Sequence, residues 1–204
     1  MYRIVVVCTG NVCRSAMTQV MLRHGLRERL KDGAAGLDVS SAGTLGLIGE
    51  PIHPLARDEL LAGPWPAAEE READLRAFRA RRLEPELLAD ADLVLTAGRE
   101  HRAAAVAMAP HLVRRAFTVI ELARLARQAA REVLAEEDWL EPPPQRRATA
   151  VVARAARLRA SVRPLHAEDD DIPDPMGQPP AVFREVADRL QAAVDEILDG
   201  LVGR

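Results

Sequence analysis

Arg3-Ile-Val-Val-Val-Cys-Thr-Gly-Asn-Val-Cys-Arg-Ser15 is the stretch that decides how this chain folds. Arg3 to Val7 is a short β-branched run, apolar on both faces after Arg3, which is the pattern of a strand buried in a parallel sheet. Thr9-Gly10-Asn11 breaks that run with a turn. From Ser15 the apolar period changes. Ala16 and Val20 lie four apart, as do Leu22, Leu26 and Leu30, which predicts a helix with Ser15 as its cap and its end near Lys31-Asp32-Gly33. Leu37 to Ser41 reads as a second strand and Ala42-Gly43-Thr44 as a turn. The first 44 residues therefore read β-loop-α-β, a right-handed parallel unit.

The alternation continues. Gly49 to Pro54 is a Pro/Gly loop, Pro54 to Leu61 a helix, and Ala62 to Arg71 a surface loop around Trp65. A short helix at Pro85 to Ala89 leads into a strand at Asp92 to Thr96, followed by a helix at Arg99 to Ala109. Leu112 to Arg115 reads as a fourth strand. Thr118 to Glu137 is helical, Pro142-Pro143-Pro144 breaks it, and Arg146 to Val162 is helical again. Glu168 to Pro180 is an acidic, Pro-rich loop. Ala181 to Leu198 closes the chain as an amphipathic helix, with Val182, Val186, Leu190, Val194 and Ile197 at helical spacing. Strands alternating with helices argue for an α/β sheet.

Composition narrows the function. The 204 residues suit one domain. Hydrophobic content of 48% can fill a core, and with aromatics at only 3% that core is Leu, Val and Ala. Twenty-eight Lys and Arg against 31 Asp and Glu leave a net charge of −3, which argues against a nucleic-acid partner. Two cysteines exclude a disulfide scaffold and a four-thiolate zinc site. No apolar run approaches the roughly 18 residues of a membrane span, and the N-terminus lacks a signal-peptide pattern. The expectation is a cytoplasmic protein with no membrane partner and no cofactor.

Cys8-Thr-Gly-Asn-Val-Cys-Arg14-Ser15 places a cysteine at a strand end, then five residues, then an arginine, a hydroxyl and a helix. A strand-loop-helix turn of this length can wrap a tetrahedral oxyanion in successive backbone N–H groups. The helix N-terminus adds its positive dipole end. Arg14 can close the cradle with a bidentate fork. The same positive field favours the thiolate form of Cys8, a nucleophile for phosphoryl transfer. Gly10 permits close backbone approach, and Asn11 tolerates a left-handed conformation. Thr9, Gly10, Asn11, Val12, Cys13, Arg14 and Ser15 are the candidate phosphate-binding residues.

These residues resemble the low-molecular-weight protein tyrosine phosphatase family, in its bacterial branch. Val7 to Ser15 is similar to the family's V-C-x-G-N-x-C-R-S, and Ser41-Ala42-Gly43-Thr44 to its S-A-G-T. Ala91 to Leu95 resembles its third strand, and Asp171 to Gly177 its general-acid loop. The resemblance covers roughly residues 2–122 and 169–200. It implies a three-layer α/β fold with a central four-stranded parallel sheet flanked by helices, like phosphotyrosine protein phosphatase I, with the first strand inside the sheet. It makes residues 1–204 a single phosphatase domain with an extra helical insertion at about 128–166. By the same resemblance Cys8 is the nucleophile that forms a phosphocysteine, and Arg14 binds the phosphoryl oxygens. Ser15 hydrogen-bonds the thiolate, Ser41 supports the loop, and Asp174 is the general acid. A phosphorylated protein is the implied substrate, with phosphate or another oxyanion in the site, and no metal is needed. In the family a second cysteine at the position of Cys13 can pair with the nucleophile under oxidation.

Some positions leave alternatives open. Glu168 to Asp174 holds five carboxylates, and such a run is usually a solvated loop. Pro173 and Pro175 stiffen Asp174 from both sides, and Asp171 is the other candidate acid. Leu45, Leu47, Ile48 and Met176 stand where family members commonly carry aromatics, which makes Leu47 and Met176 the candidate pocket walls. Val12 resembles the tyrosine branch rather than the arginine branch, which has threonine there. Phe78 replaces a histidine that orients the loop asparagine, so Asn11 is expected to rest on Ser15 and Ser41. His24, His53, His101, His111 and His166 read as surface or capping residues. Arg146, Arg147, Arg154, Arg157, Arg159 and Arg163 read as a solvated face, or as a basic docking surface near the acidic loop. The function expected is a cysteine-dependent phosphatase of protein phosphotyrosine. The alternatives are an arsenate reductase using an external thiol, a protein-arginine phosphatase and a non-catalytic phosphate-binding module.

Overall fold

The N-terminal apolar run becomes β1 (Tyr2–Cys8), and its alternate side chains enter two different cores. Ile4, Val6 and Cys8 face one core, and Val5 and Val7 the other. That is why the run is apolar on both faces. The structure is a computed structural model that describes residues 1–64, 68–136 and 143–203. β1 pairs in parallel with β2 (Leu37–Gly43) on one side and β3 (Leu93–Thr96) on the other. β4 (Ala116–Thr118) extends the sheet beyond β3, giving the order β2-β1-β3-β4. Strand order reverses at β1, so the crevice beyond Cys8 is the switch point at which parallel α/β sheets bind ligands.

The larger core lies under α1 (Arg14–Leu30), α2 (Pro54–Ala62), α6 (Val119–Glu136), α7 (Pro144–Leu158) and α8 (Pro180–Leu201). Between α2 and α6 in sequence come α3 (Ala68–Ala77), α4 (Pro85–Ala89) and α5 (Arg99–Met108). Leu88 and Ala105 of the last two cover the smaller core with Val94 and Leu112. On α8 the stripe Val186, Leu190, Val194 and Ile197 is buried as its spacing requires, with Phe183 at its head. Each such side chain contributes about 1.5–3 kcal/mol on burial. Among the described residues no helix is long and apolar enough to cross a membrane.

Several boundaries differ from the reading of the sequence. The fourth strand is 116–118 rather than Leu112 to Arg115. Pro110 opens a 3-10 turn through Leu112, and Leu112 is buried from that turn rather than from a strand. The expected surface loop at 62–71 ends early, because α3 begins at Ala68; Trp65, Pro66 and Ala67 lie outside the described residues. Glu137 and Pro142 also lie outside them, and α7 starts at Pro144, where a missing N–H costs nothing. α1 starts at Arg14, so Ser15 sits inside the first turn and caps nothing. The acidic run is not simply solvated. Asp170 is buried against Arg124, Asp169 accepts the N–H of His166, and Asp171 pairs with Arg99. Of the arginines after residue 145, Arg154 pairs with Glu132 and Arg159 with Glu121, while Arg147 donates to the carbonyls of Asp199 and Gly200. These three hold α7 in place rather than forming an open basic face.

Candidate active site

The loop after β1 is shaped from outside. Residues 44–53 run across it and donate N–H groups to its carbonyls. Thr44 reaches Cys8 O at 2.9 Å, Leu45 reaches Thr9 O at 3.0 Å, Leu47 reaches Gly10 O at 2.9 Å, and His53 reaches Val12 O at 2.9 Å. With the carbonyls turned outward, the loop presents its amides to the concave side, as an anion-binding nest does. Asn11 takes the left-handed backbone this needs, with φ at 60°. Gly43, the last residue of β2, is a position that needs a glycine. A Cβ there would stand 2.4 Å from the Thr9 carbonyl oxygen, which is backbone and cannot swing away. Gly43→Ala should therefore push the loop off β2, cost about 1–3 kcal/mol by thermal denaturation and lower turnover more than tenfold. A variant as stable as wild type would show that the loop has room.

At the centre of the loop, Cys8 Sγ lies 2.9 Å from Ser15 Oγ and 3.3 Å from the Asn11 N–H. Asn11 Nδ2 donates to Ser15 Oγ at 2.9 Å and to Ser41 Oγ at 2.8 Å. Because Ser15 Oγ already accepts from Asn11, its own proton is left for the Cys8 sulfur. Asn11 Oδ1 accepts a third bond from the Arg81 N–H at 3.0 Å. A backbone group thus holds Asn11 as well as Ser15 and Ser41, while Phe78 is a buried apolar residue nearby in sequence. Cys13 is buried and free, and burial, followed by the charge of Cys8, pushes its thiol up to about 12. It stays protonated at neutral pH, which slows any pairing with Cys8, since the thiolate is the attacking form.

Arg14 is 5% exposed, and its guanidinium is placed by three contacts. Nη1 donates to the Ile172 carbonyl at 3.2 Å, and Nη2 donates to Thr9 Oγ1 at 3.2 Å and to Asp174 at 2.5 Å. Its buried Nε has no partner. A free donor on a guanidinium at the mouth of an amide nest suits a tetrahedral oxyanion. Asp174 arrives on a loop anchored one turn earlier. The Ile172 N–H donates to Ala97 O at 2.7 Å and the side chain is buried. Asp171 Oδ1 accepts the Arg99 N–H at 2.8 Å, and Oδ2 takes the guanidinium at 2.9–3.0 Å. Burial alone would raise the Asp171 carboxyl, but these hydrogen bonds and the Arg99 charge hold it below the usual range. So of the two candidate acids, Asp171 ties down the start of α5 and Asp174 faces Arg14.

Leu47 and Met176 flank the site and are about half exposed. Met176 N–H donates to Asp174 Oδ1 at 3.2 Å. Leu45 and Ile48 are largely exposed.

His101 went unnoticed in the sequence because nothing in its spacing marked it. It and His24 are buried, contrary to the surface or capping role expected of all five histidines. His53 stacks on Phe183 with centroids 4.8 Å apart, and His166 caps a short turn, as expected. His101 Nε2 lies 2.9 Å from Thr9 Oγ1, the same hydroxyl that accepts from Arg14. Burial, and then the Arg14 charge, lower the affinity of its ring for a proton below the ordinary 6.5. The unfolded chain therefore takes up that proton first as the pH falls, and folding stability is lost progressively below that value. Tm should fall further between about pH 7 and about pH 5 in wild type than in His101→Gln. Equal falls would show that His101 titrates freely.

A parallel sheet whose interior strand ends in a cysteine, an amide nest and a helix-borne arginine defines an α/β protein with a cysteine-centred site. The family model of low molecular weight phosphotyrosine protein phosphatases matches residues 3–138, and the chain belongs to that family. The low molecular weight protein-tyrosine-phosphatase Etp of Escherichia coli K12 is 34% identical over 109 residues, 53% of this chain and 63% of Etp. The low molecular weight protein-tyrosine-phosphatase Wzb of Salmonella typhi is 32% identical over 110 residues, 54% of this chain and 63% of Wzb. The matched stretch thus spans less than two thirds of either relative. Two solved structures share the fold: the YwlE arginine phosphatase of Geobacillus stearothermophilus, with a TM-score of 0.62 and 24% identity over 98% of this chain and 92% of that one, and the tyrosine phosphatase amsI of Erwinia amylovora, with a TM-score of 0.63 and 18% identity over 98% of this chain and 92% of that one.

Proposed function

We propose that this protein is a cysteine-dependent phosphatase that hydrolyses phosphomonoesters, with protein phosphotyrosine as substrate and a phosphocysteine intermediate. The observation that carries this reading is the convergence on one loop of the Cys8 sulfur, its Ser15 donor, the Arg14 guanidinium and the Asp174 carboxyl. In the first step the Cys8 thiolate attacks phosphorus. The S–P bond forms as the P–O bond to the alcohol breaks, and Asp174 gives its proton to the leaving oxygen. Arg14 and the loop amides hold the three equatorial oxygens, where charge spreads in the transition state. In the second step a water attacks phosphorus, Asp174 takes its proton, and the sulfur leaves as a thiolate stabilised by Ser15 and the Asn11 N–H. A dianion bound at Arg14 takes over the guanidinium that Asp174 now holds, which leaves the carboxyl beside the leaving oxygen.

Leu47 and Met176 would pack on the two sides of a phenyl ring. Val12 carries no hydroxyl, and the one at Thr9 is engaged by Arg14 and His101, so nothing in the loop is set to recognise a guanidinium. This favours phosphotyrosine over phosphoarginine. Arsenate reduction needs no protonated leaving alcohol, so a carboxyl aimed at Arg14 favours the phosphatase. Two free thiols suit the cytoplasm. Residues 1–204 act as one phosphatase domain, with 128–166 as an added helical segment whose Val151, Val152 and Ala155 join the main core.

The test separates the two acids. With para-nitrophenyl phosphate, Asp174→Asn should lower kcat about 10²–10⁴-fold with little change in stability. Asp171→Ala should instead cost about 1 kcal/mol of stability through the loss of its helix-end bond and lower kcat less than tenfold. The reverse pattern would move the general acid to Asp171.

A further inference from the structure

At the end of β1 opposite Cys8, six residues and about 20 Å away, lies a cavity of about 270 Å³. Tyr2 lines it from the start of the strand. Its ring is buried in the main core, and its hydroxyl is buried without a hydrogen-bond partner. Asp92 and Arg115, whose charges act on that hydroxyl, both stand in the cavity wall. Burial also keeps it protonated, and hence a donor. Arg114 and Arg157 complete the charged side. Among the described residues neither side chain makes a hydrogen bond or an ion pair. Arg115 is 4.0 Å from Asp92, the one carboxylate in the wall, so the charges there sum to two positive. The rest of the lining comes from α7, where Val152, Ala153 and Ala156 lie on the same helix as Arg157 and Thr149.

Three guanidinium groups, a buried unpaired phenol and an aliphatic wall are complementary to one kind of molecule. We propose that this cavity binds a small organic anion, a carboxylate or phosphate on an apolar body. The arginines take the charge, the Tyr2 hydroxyl donates to one of its oxygens, and the body lies on α7. This site is distinct from the Cys8 loop. It depends on α7, which belongs to the segment for which the family resemblance offers no counterpart, and its existence does not rest on the phosphatase reading.

The test uses the full chain, with benzoate and phenylphosphonate as probes, followed by ¹H–¹⁵N spectra. At least one probe should give saturable shifts at the amides of Tyr2, Asp92 and Ala153, and the one that binds names the head group. The double variant Arg114→Ala/Arg157→Ala changes two exposed side chains and should weaken that binding about tenfold or more. Tyr2→Phe should weaken it several-fold while raising Tm, because it removes a buried hydroxyl that nothing satisfies in the free protein. Absence of saturable shifts at these amides by about 10 mM of either probe would overturn the proposal, as would a double variant that binds like wild type.

Discussion

Cys8→Ser should abolish hydrolysis of para-nitrophenyl phosphate, by about 10⁴-fold or more, while leaving the protein folded. The residue is 2% exposed, and its sulfur is held by Ser15 and the Asn11 N–H, both of which can bond a serine oxygen equally well. What is lost is nucleophilicity, since a hydroxyl at this position has no base beside it. The loop amides and Arg14 remain, so Cys8→Ser should still bind inorganic phosphate. That pairing of lost turnover with kept binding separates a phosphatase from a phosphate-binding module, because in a module the substitution would leave nothing to lose. Steady-state assays and calorimetric titration with phosphate read the two halves. Residual turnover within tenfold of wild type would remove Cys8 from the chemistry.

Arg14→Lys should cost about 10³-fold in kcat/KM. The substitution keeps the charge, so the effect isolates geometry. Arg14 spreads its bonds over Ile172, Thr9 and Asp174 and still has Nε to offer. A lysine ammonium is a point charge that cannot fill that fork or present two parallel donors to a phosphoryl group. It would also release Asp174 from its partner, so the drop should fall on kcat as well as on KM. A loss confined to KM and below tenfold would mean that Arg14 supplies charge alone.

The parts of this architecture set by local pattern were legible in the sequence. β1 and α1 follow from a β-branched run and a helical period, and the Cys8 loop follows from the turn between them. Asn11 is a residue type that tolerates a left-handed backbone, and it takes one. What tertiary packing sets was not legible. Leu112 is apolar enough for a strand, but Pro110 removes a donor and leaves it in a 3-10 turn. Ser15 looks like a helix cap, yet its hydroxyl is taken by Cys8 and Asn11. The carboxylates at 170 and 171 read as part of a solvated run, but arginines distant in sequence, Arg124 and Arg99, reach them. His101 is 92 residues from Thr9, and its role follows only from the way α5 starts beside the loop. Contacts across such separations leave no periodic trace, and a lone histidine or arginine carries no sign of its partner.

The central claim is that phosphorus becomes bonded to the Cys8 sulfur. The most direct test is to mix Asp174→Asn with para-nitrophenyl phosphate, denature the sample rapidly at neutral pH and record ³¹P spectra, with peptide mass spectrometry on the same material. Asp174→Asn should still accept the phosphoryl group from this good leaving group and then hydrolyse the intermediate slowly. A thiophosphate-type signal is expected, with the added mass of one phosphoryl group on the peptide that contains Cys8, and neither in Cys8→Ser. Turnover without any phosphorus on Cys8, or phosphorus bound to a different residue, would contradict the account.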